Sequence, residues 1–309
     1  MAEERYIPPI AFEHQYKGIW YPGVVLDSSI DRMRTFQVRE DDIWIVTYPK
    51  AGTHWMMEII GLILSNGYPD KIDRSLYSSA IEMIRVNQKI PRSKEEEQEH
   101  PIDWSPFMDV IDRAPSPRVL LTHLNYDLLP QDLLKAKVVY VARNPKDIVL
   151  SWFDFAGKNP ALPLTMDKAI TKMMNDEVHW GPWPQHVRQF WELRDHENVT
   201  FVLYEDLKKE PAKHIQTIAS SIGRPLSEEV LDRVVKFSHI DAHRETFKKM
   251  AESGQGGLVK GSGPAGTFKF INKGVTGRWK QHFTVAQNEA FDEWYKSKMA
   301  DTDLKFTFE

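Results

Sequence analysis

Lys50, Gly52 and Thr53 stand between two apolar runs, Ile43-Trp44-Ile45-Val46-Thr47-Tyr48 before them and a longer one from Trp55 after them. A glycine-containing turn that opens a helix binds anions. The first N–H groups of the helix lack internal partners, and its dipole favours negative charge there. Gly52 permits close backbone approach, Thr53 adds a hydroxyl, and Lys50 brings a mobile positive charge. Together they suffice for a 5′-phosphate or phosphosulfate. The order is not G-x-x-x-x-G-K-[ST], because the lysine precedes the glycine, and no Mg²⁺-ligand motif accompanies it, so a nucleotide kinase is disfavoured. The same residues also fit a tight βα turn with a solvent-facing lysine, and local spacing does not choose between the two.

Three further places carry chemistry. Arg143 and Ser151 are spaced to put a charged fork and a hydroxyl on one phosphate, although Arg143 could equally pair with Asp147 at a helix start. His123 has the side chain best suited to general-base work near neutral pH, but it is one of eleven histidines and a lone histidine is as readily structural. Phe153, Phe155 and the aromatics between Trp180 and Trp183 fit an apolar pocket or ordinary core packing.

The elements that must position these groups read as buried strands alternating with helices. Strands are expected at 43–48, 118–122, 138–142 and 199–204. Helices are expected from Thr53, from Pro145 through Phe155, from about Pro211 to Ile222, and from a capping box at Thr284 and Gln287. Alternation of this kind implies a central, mostly parallel sheet covered by helices on both faces. No Pro/Ser-rich linker divides the chain, so one domain over residues 1–309 is expected. Ser93–Glu99, with four glutamates, reads as a solvated segment; Pro101–Pro117 reads as proline-interrupted loop; Ser253–Gly266, with six glycines, reads as the most flexible stretch.

Composition removes several function classes. The hydrophobic fraction of 41% and charged fraction of 27% suit a globular protein, and a net charge of -4 argues against a general binder of nucleic acid or anionic membrane. The absence of cysteine excludes disulfides, thiolate metal sites and cysteine nucleophiles. No signal peptide or membrane-length apolar stretch is visible, which leads to the expectation of a cytoplasmic protein.

The string Tyr48-Pro49-Lys50-Ala51-Gly52-Thr53-His54-Trp55 resembles the 5′-phosphosulfate loop of the cytosolic sulfotransferases, Tyr-Pro-Lys-Ser-Gly-Thr-Thr-Trp. Val138 through Ser151 resembles that family's 3′-phosphate segment, and Phe270 through Lys280 its carboxy-terminal nucleotide segment. Lys280, Thr284, Val285 and Glu289 resemble its dimerisation pattern K-x-x-x-T-V-x-x-x-E. The resemblance implies a P-loop-kinase-like sulfotransferase fold that uses 3′-phosphoadenosine 5′-phosphosulfate (PAPS) as co-substrate, without a metal, on a small and fairly apolar hydroxyl or amine acceptor. It implies His123 as general base and Lys50 at the leaving phosphate. Donor contacts are implied at Lys50, Ala51, Gly52, Thr53, His54, Trp55, Arg143, Ser151, Tyr204, Ser238, Phe270, Asn272, Lys273 and Gly274. A homodimer through Lys280, Thr284, Val285 and Glu289 follows from the same resemblance.

The chain departs from the pattern at several points. The family's lysine two residues before the base is Leu121 here, and the arginine before Lys273-Gly274 is Asn272. Ala51 and His54 replace hydroxyl residues in the loop, and Ile240 stands for a phenylalanine at the adenine site. Lys260, Lys269 and Arg278 are candidate substitutes for the missing cations. Losing two charge-assisted hydrogen bonds, each worth about 1.5–3 kcal/mol, also admits a second reading: a nucleotide-binding relative with little turnover.

Overall fold

The computed structural model describes residues 9–74, 79–84, 91, 93–156, 164–253 and 274–309. Its centre is a parallel sheet of β3 (Ile43–Thr47), β4 (Val119–Thr122), β5 (Lys137–Ala142) and β6 (Val199–Leu203), in the order β4-β3-β5-β6. A separate antiparallel hairpin, β1 (Glu13–Tyr16) with β2 (Ile19–Pro22), precedes it. All four expected sheet strands are present. So are helices Thr53–Leu64, Pro145–Ala156, Pro211–Ser221 and Val285–Lys298, and both halves of the Thr284–Gln287 capping box are formed.

Both faces of the sheet are buried, which is why its strands read as unbroken apolar runs. Trp44, Val46, Leu120, Val138 and Tyr140 pack on one side, with helices Pro145–Ala156 and Trp183–Glu192. Ile43, Ile45, Leu121, Val139 and Val141 pack on the other, with helices Thr53–Leu64 and Pro211–Ser221. The alternation follows the two-residue period of a strand.

Three local expectations change. Ser93–Glu99 is not simply solvated chain: Lys94–Glu99 forms a short exposed helix, because the Ser93 hydroxyl accepts the Glu96 N–H and three glutamates sit in its first turn. The proline-interrupted stretch holds a helix at Met108–Asp112, whose Met108 and Ile111 are buried. Tyr204 ends no strand; it begins the helix Tyr204–Lys209.

The order of the strands creates the site. From β3 the chain continues to β4 on one flank, then crosses to β5 on the other. Beyond the carboxyl ends of such strands lies the crevice where open α/β sheets bind ligands. Register then decides which residues meet there. Val46 is paired with Thr122 and Ala142 with Leu203, so the next residues out are Thr47 beside His123 and Arg143 beside Tyr204.

Candidate active site

Immediately after β3 the backbone turns through two left-handed residues, Lys50 at φ 71° and Gly52 at φ 117°. A side chain at Gly52 would be strained by that angle, and its Cβ would lie 2.7 Å from Tyr204 Cδ2. Helix Thr53–Leu64 starts here, and its first internal bond runs from Met56 N–H to Gly52 C=O at 3.0 Å. The N–H groups of Thr53, His54 and Trp55 therefore have no partner inside the helix. The Thr53 hydroxyl lies 2.7 Å from the Thr47 hydroxyl.

Lys50 is half-buried, with Nζ 4.3 Å from the centroid of the Phe155 ring. Removal from water and then the neighbouring Arg143 lower its ammonium to about 8, Asp154 acting weakly the other way. His54, on the first turn of the helix, is held neutral by burial and by Lys50, His243 and His123, its pKa near about 3.

Arg143 extends from the end of β5 and is 9% exposed. Its guanidinium lies 4.4 Å from the Tyr204 ring centroid, donates to Lys50 C=O at 3.2 Å and Val275 C=O at 3.5 Å, and lies 3.8 Å from Asp147. Its Nε has no partner among the described residues. A buried cation with long contacts and an orphaned donor has bonding capacity left over that an anion could take up. Asp147 does come within reach of Arg143, but one of its oxygens already accepts the Gly277 N–H at 2.8 Å. That bond fixes the carboxy-terminal segment to helix Pro145–Ala156. Ser151 is buried one turn further along the same helix face. The turn itself is set by Glu205, which accepts the Asn144 backbone N–H at 3.0 Å and its side-chain amide at 2.9 Å.

His123 is held from three sides. Its Nδ1 lies 2.8 Å from the Thr47 carbonyl, which can only accept, so the proton is on Nδ1 and Nε2 carries a lone pair. Its own N–H donates to Glu82 Oε1 at 3.0 Å. Its C=O accepts from His186 Nε2 at 3.1 Å, and His186 Nδ1 in turn accepts the Tyr140 hydroxyl at 2.8 Å. Burial lowers His123 to about 4; the Thr47 bond opposes this and Lys50 adds to it, so the ring is neutral at physiological pH. Trp180 packs edge-on against His123 at 5.1 Å, and its indole N–H also donates to Glu82 Oε1 at 2.9 Å. Sequence reasoning missed Glu82, Tyr140 and His186. Only Glu82 left a trace, as a lone carboxylate inside the apolar string Ala80-Ile81-Glu82-Met83-Ile84.

The remaining candidates divide. Trp55 donates to the Ser238 carbonyl at 2.9 Å and packs edge-on to Tyr204 at 5.2 Å, so these three form one wall. A Cβ at Gly274 would lie 3.3 Å from Ile240, which brings these two positions together as well. Ala51 is wholly buried and offers only its backbone. Trp183 belongs to the core, against Tyr295 and Phe306, and Phe153 packs against that core too. Leu121 is packed among apolar residues, and Arg278 is paired with Asp154 at 3.1 Å. Phe270, Asn272, Lys273, Lys260, Lys269 and the glycine-rich stretch 254–266 lie outside the described residues. No group of residues able to hold a metal ion occurs among the described residues.

The family model described as a sulfotransferase domain matches residues 40–303. Sulfotransferase 1A1 of Rattus norvegicus is 37% identical over 289 residues, covering 91% of this chain and 92% of that protein. Sulfotransferase 1C2 of Homo sapiens is 35% identical over 291 residues, covering 90% of each. Among solved structures, mouse sulfotransferase SULT7A1 complexed with PAP superposes with a TM-score of 0.73 at 28% identity, covering 94% of this chain and 95% of that one. Retinol dehydratase in complex with androsterone and the inactive cofactor PAP, at 22% identity and a TM-score of 0.75, shares the fold; 97% of this chain and 93% of that one are covered.

Proposed function

The chain belongs to the sulfotransferase family, and on that premise we propose that it transfers a sulfuryl group from PAPS to a hydroxyl or amine of a small, fairly apolar acceptor, with His123 as the general base. The observation that carries this reading is the His123 tautomer. With its Nδ1 proton committed to Thr47 and its ring neutral, Nε2 is free to take a proton, and no other described residue bonds to it.

The donor, when bound, supplies an activated sulfuryl group on its 5′-phosphate. The residues present fit it: free N–H groups at the helix start for one phosphate, and the unpartnered Arg143 Nε for another. His123 Nε2 removes the acceptor proton as the acceptor oxygen or nitrogen attacks in line. Lys50 and the N–H groups of Thr53 to Trp55 stabilise negative charge on the leaving phosphate. Trp55, Tyr204 and Ser238 form the wall for the adenine, and Gly274 the carboxy-terminal side of the 3′-phosphate site. Trp180, edge-on to His123, gives the acceptor an apolar surface beside the base.

The protein is read as a cytoplasmic homodimer. Val285 is 75% exposed at the start of its helix, as a residue meeting a partner would be, while Lys280 forms an ion pair with Glu309 at 2.7 Å. Among the described residues no helix is long and apolar enough to cross a membrane.

The deciding experiment follows labelled sulfate from PAPS into a panel of phenols, steroids, alcohols and amines. Replacing His123 by Ala is expected to lower kcat by about 10²- to 10⁴-fold, with PAP binding retained in calorimetry. Unchanged transfer in that variant would remove the proposed base. A second reading, a nucleotide-binding relative with little turnover, is favoured by the apolar packing of Leu121, which supplies no cation beside the base. Tight PAP binding with no transfer to any acceptor would support it.

A further inference from the structure

Glu82 is a wholly buried carboxylate inside an apolar string, and the groups bonded to it belong to the substrate side of the site. Its Oε1 accepts two N–H groups, the backbone N–H of His123 at 3.0 Å and the Trp180 indole at 2.9 Å. Its Oε2 accepts the Thr122 hydroxyl at 2.9 Å. The backbone that carries Glu82 is fixed from both sides. Ile81 N–H donates to the Leu121 carbonyl of β4 at 2.8 Å, Glu82 C=O accepts the Leu26 N–H at 3.3 Å, and Ile84 N–H donates to the Val24 carbonyl at 2.9 Å. A carboxylate anchored in this way imposes its position on the groups that donate to it.

Trp180 is a residue that needs such a hold. It is bulky and lies in the left-handed region at φ 63°, a conformation that costs free energy and persists where the surroundings over-determine it. Its N–H donates to the Trp20 carbonyl at 2.9 Å, its C=O accepts from Asn125 Nδ2 at 3.1 Å, and the carbonyl of Gly181 next to it accepts the Tyr48 hydroxyl at 3.0 Å. Those three bonds fix the main chain. The indole bond to Glu82 fixes the ring, which stands edge-on to His123 at 5.1 Å.

We propose that Glu82 is a positioning residue for sulfuryl transfer: its Oε1 joins the base and the indole wall into one rigid unit, so that the substrate's hydroxyl or amine meets His123 Nε2 from a fixed direction. This rests on reading His123 as the base. In-line attack tolerates little error, and a misplacement of about 1 Å can cost roughly 10²-fold in rate. The role belongs to Oε1 as a hydrogen-bond acceptor and does not need the charge. A glutamine keeps Oε1 for both N–H groups and turns its amide nitrogen toward the Thr122 hydroxyl, which can accept. A methionine of similar length leaves both N–H groups buried without that partner, and nothing at this position then ties the base to the wall.

The test uses the full chain and follows labelled transfer from PAPS to the panel compound that the wild type uses fastest, PAP binding by calorimetry, and solvent exchange of the Trp180 indole proton by NMR, its signal identified with Trp180→Phe. Glu82→Met should lower kcat by about 10- to 100-fold at an unchanged PAP Kd. It should also speed exchange of the indole proton by about tenfold or more, the equivalent of one lost hydrogen bond. Glu82→Gln should bring both back to within about threefold of the wild type. Glu82→Asp, which retracts the carboxylate by one methylene, should err in the same direction as the methionine variant and serves if that one does not fold. Trp180→Phe should cost about three- to tenfold in kcat alone and almost nothing on top of Glu82→Met, because the bond it removes is already gone. Thr122→Val, which removes the bond at Oε2 and the one from Leu124 N–H without touching Oε1, should lower Tm and leave kcat within about threefold. A kcat that simply follows Tm across these variants makes Glu82 structural and overturns the proposal, as does wild-type turnover or unaltered indole exchange in Glu82→Met. A wild type that transfers to no compound defeats the transferase reading, and the exchange measurement still decides whether Glu82 holds the wall.

Discussion

Two buried arginines stand at opposite ends of the same sheet, and they are treated in opposite ways. Arg118, just before β4, meets Asp42, just before β3, through two bonds of 2.7 and 2.6 Å, donates to the Gln37 carbonyl at 2.9 Å, and has the Phe36 ring at 5.0 Å and Asp112 at 4.0 Å. Arg143, just after β5, has an aromatic face, carbonyls at 3.2 and 3.5 Å, a carboxylate at 3.8 Å and an idle Nε. Burial is nearly equal, 1% and 9% exposed. A buried charge is tolerable when paired and bonded, and costly otherwise. At the amino ends of the strands the pairing is internal and complete. At the carboxyl ends it is incomplete among the described residues, and the same holds for Lys50, as the proposed anion site requires. His123, the proposed base, is the exception at that end, because its ring is already held by Thr47 and its backbone by Glu82 and His186. The proposed proton transfer depends on a fixed tautomer and direction, whereas the proposed phosphate side would gain its geometry from the anion.

The contrast can be broken from either side. The largest effect is expected from Asp42→Ala, which leaves Arg118 only the half-exposed Asp112 at 4.0 Å: a loss of about 3–5 kcal/mol of stability by denaturant unfolding, with PAP affinity of the folded protein unchanged. Arg143→Ala should do the reverse. Its stability should change little, while the PAP Kd rises by about ten- to hundredfold, the equivalent of roughly 1.5–3 kcal/mol, measured by calorimetry. If Asp42→Ala weakened PAP binding as much as Arg143→Ala, the division between the two ends would fail.

The pH dependence gives the finest test. His123, near about 4, must be neutral to act, so donor kcat/KM should fall only as pH drops toward about 4. Lys50 is lowered to about 8 and must be charged, so kcat/KM should also fall as pH rises through about 8. These limbs belong to kcat/KM, which reports the free enzyme. In kcat the alkaline limb should move upward, because bound phosphate favours the ammonium. Lys50→Arg should remove the alkaline limb even if the rate falls, since guanidinium keeps its charge across that range.

Much of this was legible along the chain because the determining signals are local. Four apolar runs bounded by turns became the four strands of the sheet. The lysine–glycine–threonine turn became a helix start with free N–H groups, and Thr284 with Gln287 became a closed capping box. What stayed hidden depends on contacts between segments far apart in sequence. Glu82 and His123 are 41 positions apart, and His186 lies 63 beyond His123; nothing in either neighbourhood announces the pairing. The aromatics show the same limit. Trp180 and Trp183 have equal claim on an acceptor pocket by sequence, yet one lies against His123 and the other against Tyr295 and Phe306.

The sequence by itself determined the kind of sheet, the anion-binding turn after its first strand and the residue types available for transfer, since periodicity, turn chemistry and side-chain identity are properties of short segments. Only the tertiary structure decided that Lys50, His123, Arg143 and Tyr204 share one crevice, because that follows from strand order and register. It alone also decided which of two buried arginines is satisfied: Arg118 lies beside the carboxylate of the neighbouring strand, and Arg143 lies where the sheet ends, its Nε without a partner among the described residues.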